Sequence, residues 1–457
     1  MTRHFDVVVI GGGSGLTAAS QAVDDGRSVA LVTDRPEAMG GTCVNFGCIP
    51  TKTLIQAAEV MTTIRNAERF GIHLDQGSVR ADFAWIMASM RQARADNASD
   101  PRRRVEATMT PVYSRVRFVG ERCLETAEGE RISGDSIFIA TGARASVPPI
   151  EGLEACGYLT SETALELERQ PDSLVIVGGG YIGAEMGHFF ASLGTRVTLI
   201  NGSARLLSED EEVGALFTEV FSEKVERVTG RAVRASRRGE ARQVEVEDQS
   251  GKMRTVVAEQ ILLAAGRQPN TESLALAATG VECDEKGAIR VDERLATTCP
   301  GIYAYGDVIG RAMFKHTASY EGQLAYRNSR GANEAVSYRS NPHAVFSDPQ
   351  IAAVGLTEQA CREQGLDYRA LRKDYADSAK GKIIGAPRGF AKLLIERHTD
   401  RILGFHIIGP DAATLIHEVI VAMNAGDGTA ESVRRTIHVH PSLPELIHSL
   451  FNASGER

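Results

Sequence analysis

The chain has 457 residues, with 51 basic against 59 acidic side chains and a net charge of −8. That length exceeds what one hydrophobic core organises, so two or three domains are expected, and the acidic balance argues against a nucleic-acid partner. With 43% hydrophobic and 24% charged residues the composition is globular, and no apolar run approaches the ~18 residues a membrane helix needs.

In chain order, the first predicted element is a buried strand, Phe5–Ile10, with no secretory leader visible before it. The turn Gly11-Gly12-Gly13-Ser14-Gly15-Leu16 follows, then a helix reaching Asp25 and a second strand, Ser28–Val32. Glycines at Gly11, Gly13 and Gly15, with Ser14, let the backbone approach a pyrophosphate whose charge sits at the helix N-terminus. Leu16 stands where a third motif glycine belongs, so the helix–strand crossing is expected to loosen or shift. Asp34, just beyond the second strand, is the candidate ribose ligand.

Next comes Gly40-Gly41-Thr42-Cys43-Val44-Asn45-Phe46-Gly47-Cys48-Ile49-Pro50-Thr51-Lys52, ahead of helical apolar spacing over Thr53–Ile64. Pro50 suits a first helical turn. Cys48 is then at a helix N-terminus, where the dipole favours thiolate. Four intervening residues with a glycine let the two sulfurs meet. A metal half-site and a pair of buried thiols are the competing readings, but no second Cys/His pair at metal spacing follows, and no metal is expected. The other five of the seven cysteines stand alone and read as small core fillers; an odd number without a leader fits a reducing cytoplasm. Arg91, Arg94, Arg102, Arg103, Arg104 and Arg115 form a basic cluster, read as a solvated helix face, with a docking patch for an acidic carrier domain as the sharper alternative.

The strand–turn–helix–strand pattern then recurs. Leu174–Val177 leads into Gly178-Gly179-Gly180-Tyr181-Ile182-Gly183, a helix to Leu193 and a strand Arg196–Ile200. One such turn is a weak signal; two in matching frames point to two nucleotide-binding units. In the second, the acidic ribose position holds Asn201.

Gly40–Lys52 resembles the redox-active signature of the class I pyridine nucleotide–disulfide oxidoreductases. The resemblance continues through Ile139-Ala140-Thr141-Gly142, Gly266-Arg267-Gln268-Pro269-Asn270-Thr271, Gly301-Ile302-Tyr303-Ala304-Tyr305-Gly306-Asp307 and His438-Val439-His440-Pro441-Ser442-Leu443-Pro444-Glu445. It implies an α/β fold with two Rossmann-like nucleotide-binding domains, for FAD and NAD(P), plus a C-terminal α+β dimerisation domain. The FAD domain would span 1–150 and 272–340, the NAD(P) domain 151–271 and the interface domain 341–457, with Pro148-Pro149 and Asn341-Pro342 at two of the joins. It further implies Cys48 as the flavin-facing thiolate, Cys43 as the sulfur exchanging with substrate, and His440 as an acid/base oriented by Glu445, acting across a homodimer interface. His438 reads as packing.

By the same resemblance, Gly41, Thr42, Lys52, Thr141, Gly142, Asp307 and His316 join the first glycine turn and Asp34 around FAD. Gly178, Gly180, Tyr181, Ile182, Gly183, Glu185, Asn201 and Gly266 serve NAD, with NADP possible. Lys52 and Glu185 would form an ion pair near the flavin, and Tyr181 an aromatic lid on its nicotinamide side. Met313-Phe314-Lys315-His316 and Glu321-Gly322 are closest to dihydrolipoamide dehydrogenases, although Lys315, Ser14 and Leu16 depart from their pattern and Thr51 is similar to mycothione-type reductases. A C-terminal cysteine pair of the mercuric reductase kind is not seen. The expected activity is electron transfer between NAD(H) and a small-molecule or lipoyl-domain dithiol. A reductase of a mycothione- or glutathione-type disulfide, or a diaphorase-like flavoprotein with vestigial disulfide chemistry, are the alternatives.

Overall fold

Val7, Val8, Val9 and Ile10 are apolar on both sides of the pleat, the pattern of a strand covered on both faces. In the computed structural model, which describes residues 1–75, 77–386 and 388–455, they are buried at the heart of a seven-stranded sheet. Six of its strands are β1 (Thr2–Ile10), β2 (Val29–Thr33), β3 (Thr110–Tyr113), β4 (Val116–Gly120), β5 (Cys123–Thr126) and β6 (Arg131–Ile139), in the order β3-β2-β1-β6-β5-β4, and the seventh joins from later in the chain. β1, β2 and β3 run parallel, as do β1 and β6. Helix α1 (Gly15–Asp24) makes the crossover from β1 to β2 and buries Ala18, Ala19 and Ala22. Three more helices follow: α2 (Gly41–Asn45), α3 (Cys48–Arg65) and α4 (Phe83–Thr108).

After β7 (Ala143–Ala145) and the short α5 (Leu153–Cys156), a second parallel sheet repeats the scheme. It comprises β8 (Ser173–Val177), α6 (Tyr181–Ser192), β9 (Arg196–Asn201), α7 (Glu211–Phe221) and β10 (Glu226–Thr229). An antiparallel layer, β11 (Arg231–Arg238), β12 (Ala241–Glu247) and β13 (Met253–Ala258), leads back to β14 (Gln260–Leu263), giving the order β10-β9-β8-β14. β15 (Arg267–Pro269) pairs with β7, and β16 (Ile302–Ala304) returns to the first sheet beside β6, followed by α8 (Lys315–Ser329). The chain thus leaves the first sheet, builds the second, and comes back.

The C-terminal part is a five-stranded antiparallel sheet, β17 (Pro342–Val345), β18 (Ile351–Gly355), β19 (Tyr368–Asp374), β20 (Phe390–Glu396) and β21 (Ile402–Ile408), ordered β17-β18-β21-β20-β19. Helices α9 (Glu358–Glu363), α10 (Ala379–Ile383), α11 (Ala412–Asn424), α12 (Glu431–Arg434) and α13 (Pro444–Ala453) accompany it. Lys392 of β20 is buried, yet its ammonium meets Asp210 at 3.0 Å, and Glu212 and Glu358 at 2.6 Å each. Three carboxylates offset the desolvation of one cation and tie the second sheet's α7 to the C-terminal sheet.

Among the described residues no helix is long and apolar enough to cross a membrane. Cys156, Cys299 and Cys361 are buried fillers, while Cys123 and Cys283 are half-buried. The basic cluster is largely paired: Arg94 meets Glu166 at 2.6 Å, Arg102 meets Glu106 at 2.9 Å, and Arg103 meets Asp100.

Candidate active site

Parallel strands leave their ligand crevice at their C-terminal ends. There the first sheet opens into a cavity of about 1250 Å³ lined by Gly11, Gly13, Ser14, Asp34, Gly41, Thr42, Thr141, Gly142 and Asp307, together with Cys43, Cys48, Lys52 and Glu185. The glycine turn and the redox segment touch: a Cβ on Gly41 would stand 2.5 Å from Gly13 Cα. Leu16 is accommodated by a shift of one residue. The close approach to β1 falls on Gly15, where an added Cβ would meet Val9 Cγ1 at 2.8 Å. Thr141 and Asn270 lock two distant segments together, the Thr141 hydroxyl donating to Asn270 O at 2.8 Å and Asn270 Nδ2 to Thr141 O at 3.0 Å.

Several cavity groups were not legible in advance. Arg115, assigned to a solvated face, lines the cavity and its Nε lies 3.1 Å from Asp34 Oδ2. Lys315 also lines it, with Nζ 3.4 Å from Ser14 Oγ. His316 does not; its Nε2 is 2.7 Å from Pro342 O, and its ring stacks on Phe314. Arg267 Nε lies 3.5 Å from Asp307 Oδ2 yet makes no hydrogen bond within the chain. Burial pushes the Asp307 carboxyl up against the pull of Arg267. A large cavity with a Cβ-free cradle at a helix N-terminus, and a guanidinium whose buried Nε has no partner, fits an anionic dinucleotide such as FAD.

Gly47 precedes α3, so Cys48 is that helix's first residue, and Cys43 lies in the preceding short α2. The two thiols shift each other in opposite directions. The Cys48 neighbour, with burial, pushes the Cys43 thiol far up, while the Cys43 neighbour and the Lys52 charge bring Cys48 down to about 7, against burial and Glu185. That direction favours the thiolate on Cys48. Lys52, one turn further along α3, grips Glu185 of α6 with Nζ–O distances of 2.8 and 2.7 Å. Phe346 N donates to the same carboxylate at 3.0 Å, and the ammonium lies 4.7 Å from the Phe346 ring centroid.

His440 and Glu445 meet each other but do not line this cavity. His440 Nδ1 donates to Glu445 Oε1 at 2.8 Å, and Ser442 N donates to the other oxygen at 2.9 Å. The Ser442 N–H first, and His440 second, hold the Glu445 carboxyl low. The His440 side chain is 70% exposed, and the preceding Ile437 and Val439 are exposed as well, at 96% and 77%. His438 turns inward, 2.6 Å from Glu418 and stacked on His448. Among the described residues no contact within the chain joins His440 to the cysteines. Among the described residues there is also no cluster of three or more His, Cys, Asp or Glu placed to hold a metal.

A second cavity, about 620 Å³, opens at the second glycine turn and is lined by Gly178, Gly180, Tyr181, Asn201, Ser203, Arg205 and Arg231 among others. Gly183 sits behind the turn, where a Cβ would come 2.1 Å from Gly178 O. Ile182 and Gly266 line the larger cavity instead. Asn201 is committed in a way its sequence position does not reveal: Nδ2 donates to Ser203 O at 2.8 Å and Arg205 O at 3.2 Å, bracing the loop, and Oδ1 is buried without a partner. The described lining carries no carboxylate; Arg205 and Arg231, the latter at the start of β11, are its cations. Gly180 and Tyr181 line both cavities.

Residues 5–322 match the family model described as pyridine nucleotide-disulphide oxidoreductase, and residues 341–451 match the model of that family's dimerisation domain. A mycothione reductase of Mycobacterium tuberculosis is 35% identical, covering 97% of this chain and 98% of its own. A dihydrolipoyl dehydrogenase of Geobacillus stearothermophilus is 34% identical over 96% and 94%. A mercuric reductase of Bacillus cereus is also 34% identical, over 96% of this chain and 70% of its own. Among solved structures, the HOCl-induced flavoprotein disulfide reductase RclA from Escherichia coli superposes with a TM-score of 0.86 at 29% identity, covering 98% of this chain and 99% of that one.

Proposed function

The chain belongs to the pyridine nucleotide–disulphide oxidoreductases, and from that premise we propose that it passes electrons between a nicotinamide dinucleotide and a thiol–disulfide substrate through Cys43 and Cys48. The observation carrying this reading is the placement of Cys43 and Cys48, the latter at the start of α3, beside Lys52 inside the larger cavity, where the surroundings lower the Cys48 pKa to about 7. Gly11, Gly13, Ser14, Asp34, Thr141 and Asp307 would hold FAD there, which when bound supplies the two-electron relay between nicotinamide and dithiol.

The chain's own part is thiol chemistry. With Cys48 as thiolate, the pair's one remaining proton rests on Cys43, which cannot attack until a base removes it. Cys43 then attacks one sulfur of a substrate disulfide, and the other leaves as a thiol. Cys48 attacks Cys43 Sγ, closing the Cys43–Cys48 disulfide and releasing the second substrate thiol. The substrate gains two electrons and two protons, one proton from Cys43 by way of His440 and the other from solvent, and the reverse sequence oxidises a dithiol. His440, held in one tautomer by Glu445, is the group to carry the proton, supplied by a second copy of the chain in a homodimer.

Met313-Phe314-Lys315-His316 and Glu321-Gly322 favour a dihydrolipoamide-type dithiol as substrate. A low-molecular-weight disulfide is the second reading, favoured by Thr51 and by a nucleotide cavity without a carboxylate. The relatives, at 35%, 34% and 34% identity, do not rank the two. NAD(H) is the proposed dinucleotide, with NADP(H) admitted. Steady-state turnover of lipoamide, glutathione, mycothiol and bacillithiol disulfides with each nucleotide tests this. Lipoamide is expected to give the highest kcat/KM, and a hundredfold advantage for any monothiol disulfide overturns that choice. Anaerobic reduction taking up only two electrons per chain, rather than four, would overturn the thiol mechanism itself.

A further inference from the structure

Tyr181 stands between two spaces that one ligand has to join. A dinucleotide whose pyrophosphate rests on the Gly178–Gly180 turn lies in the smaller cavity, yet its reacting ring has to enter the larger one, where Cys48, Lys52 and Glu185 lie. Tyr181, at the N-terminus of α6, lines both. Its hydroxyl donates to Glu209 Oε1 at 2.9 Å. The Glu209 side chain is only 1% exposed, and its other oxygen lies 2.9 Å from His343 Nε2. The rings of Phe314 and His343 stack on Tyr181 at 5.9 and 5.7 Å between centroids. Thus the loop before α7, the start of α8 and β17 of the C-terminal sheet all converge on one side chain.

Resting on the reading of the smaller cavity as the dinucleotide site, we propose that Glu209, backed by His343, is a positioning residue that latches Tyr181 across the passage and so taxes entry of the nicotinamide ring but not of the adenylate half. A buried carboxylate accepting a hydroxyl makes a stronger hydrogen bond than a neutral acceptor does, and lies out of reach of competing water. Opening the passage breaks that bond and the ring stacks, so part of the ligand's binding free energy is spent on the opening.

Isothermal titration of the FAD-loaded protein with NAD⁺ and with ADP-ribose, which lacks the nicotinamide, separates the two halves; NADP⁺ and 2′-phospho-ADP-ribose are run in parallel. Tyr181→Phe keeps the ring and removes the hydroxyl, and Glu209→Gln keeps the shape and removes the charge. Each is expected to tighten the nicotinamide-bearing ligand by about threefold to tenfold, the worth of one charge-assisted bond over a neutral or absent one. ADP-ribose binding is expected to stay within about twofold. Combining the two substitutions is expected to add little to the larger single effect, because Glu209 acts through Tyr181. An equal change for both ligands, or a Glu209→Gln effect that persists in full on top of Tyr181→Phe, overturns the latch. If Glu209→Gln does not fold, Tyr181→Phe alone decides, and an unchanged NAD⁺ affinity overturns it. Failure of the wild type to bind either ADP-ribose refutes the reading of the smaller cavity, and the latch with it.

Discussion

Cys43 in α2 and Cys48, the first residue of α3, shift each other's titration in opposite directions, so two chemically identical side chains are made unequal by position. The Cys43 neighbour and the Lys52 charge lower the Cys48 thiol and together outweigh its burial. That direction favours Cys48 as the thiolate and Cys43 as the proton-bearing partner.

The first consequence is a pH profile. In the reduced protein, alkylation by iodoacetamide is expected to rise with pH through a midpoint near 7, because the reactive thiolate fraction grows above that value. Cys48→Ser removes this phase. Cys43→Ser, with a hydroxyl in the thiol's place, keeps it, whereas Cys43→Ala removes the neighbour that lowers Cys48 most and moves the midpoint up. If Cys48→Ser still shows a phase near 7, the assignment of the two sulfurs is reversed.

Lys52 and Glu185 act on that midpoint with opposite signs, although they are bound to each other. Lys52 lowers the Cys48 pKa and Glu185 raises it. Lys52→Met is expected to shift alkylation to higher pH and Glu185→Gln to lower pH. The same direction for both would mean that the pair acts through packing rather than charge.

His440→Ala is expected to slow thiol–disulfide exchange by roughly 10²- to 10⁴-fold, the usual worth of general acid–base catalysis. Reduction of the protein by the nicotinamide is expected to change little, since within a chain His440 lies outside the nucleotide cavities. Mixing His440→Ala with Cys43→Ser tests the trans arrangement: heterodimers that regain exchange activity require His440 and Cys43 to come from different chains. Near-normal disulfide turnover by His440→Ala would reduce it to an exposed histidine at the dimer contact.

Much of this site was readable from local pattern, and the remainder was not local. Glycine turns, strand alternation and the Cys43–Cys48 spacing act over a few residues, so the parallel strands of the two sheets and the thiol pair at a helix start could be anticipated. The effect of Leu16 depended on which neighbour strand β1 presents, and the close contact went to Gly15. Arg115 reached Asp34 across 81 residues, and His343 reached Glu209 across 134, distances at which sequence spacing carries no signal. His316 stood beside Lys315 in sequence, but only Lys315 lines the cavity. Asn201 kept its strand-end place, but its amide went to the loop rather than staying free for a ligand.

That last commitment bears on the choice of nucleotide. A carboxylate at the end of β9 would accept both ribose hydroxyls and repel a 2′-phosphate. Asn201 carries no charge, and the described lining offers no other carboxylate, so the repulsive element is missing. Arg205 and Arg231 face the same space, but each is engaged elsewhere, Arg205 with Glu211 at 2.7 Å and Arg231 with Glu247 at 3.1 Å. Recruiting them to a phosphate means exchanging one exposed ion pair for another, a change worth little in water. The wild type is therefore expected to use NAD(H) with weak discrimination against NADP(H). Asn201→Glu restores the charge and is expected to sharpen NAD preference by about tenfold or more, with loop disorder as a cost because the bonds to Ser203 and Arg205 are lost. Arg231→Ala and Arg205→Ala are expected to weaken NADP more than NAD. The kcat/KM ratio of the two reduced nucleotides checks each variant. A wild-type NADPH preference above roughly a hundredfold, about 2.7 kcal/mol, would mean that both arginines already form a phosphate clamp, and would move the substrate assignment toward a low-molecular-weight disulfide.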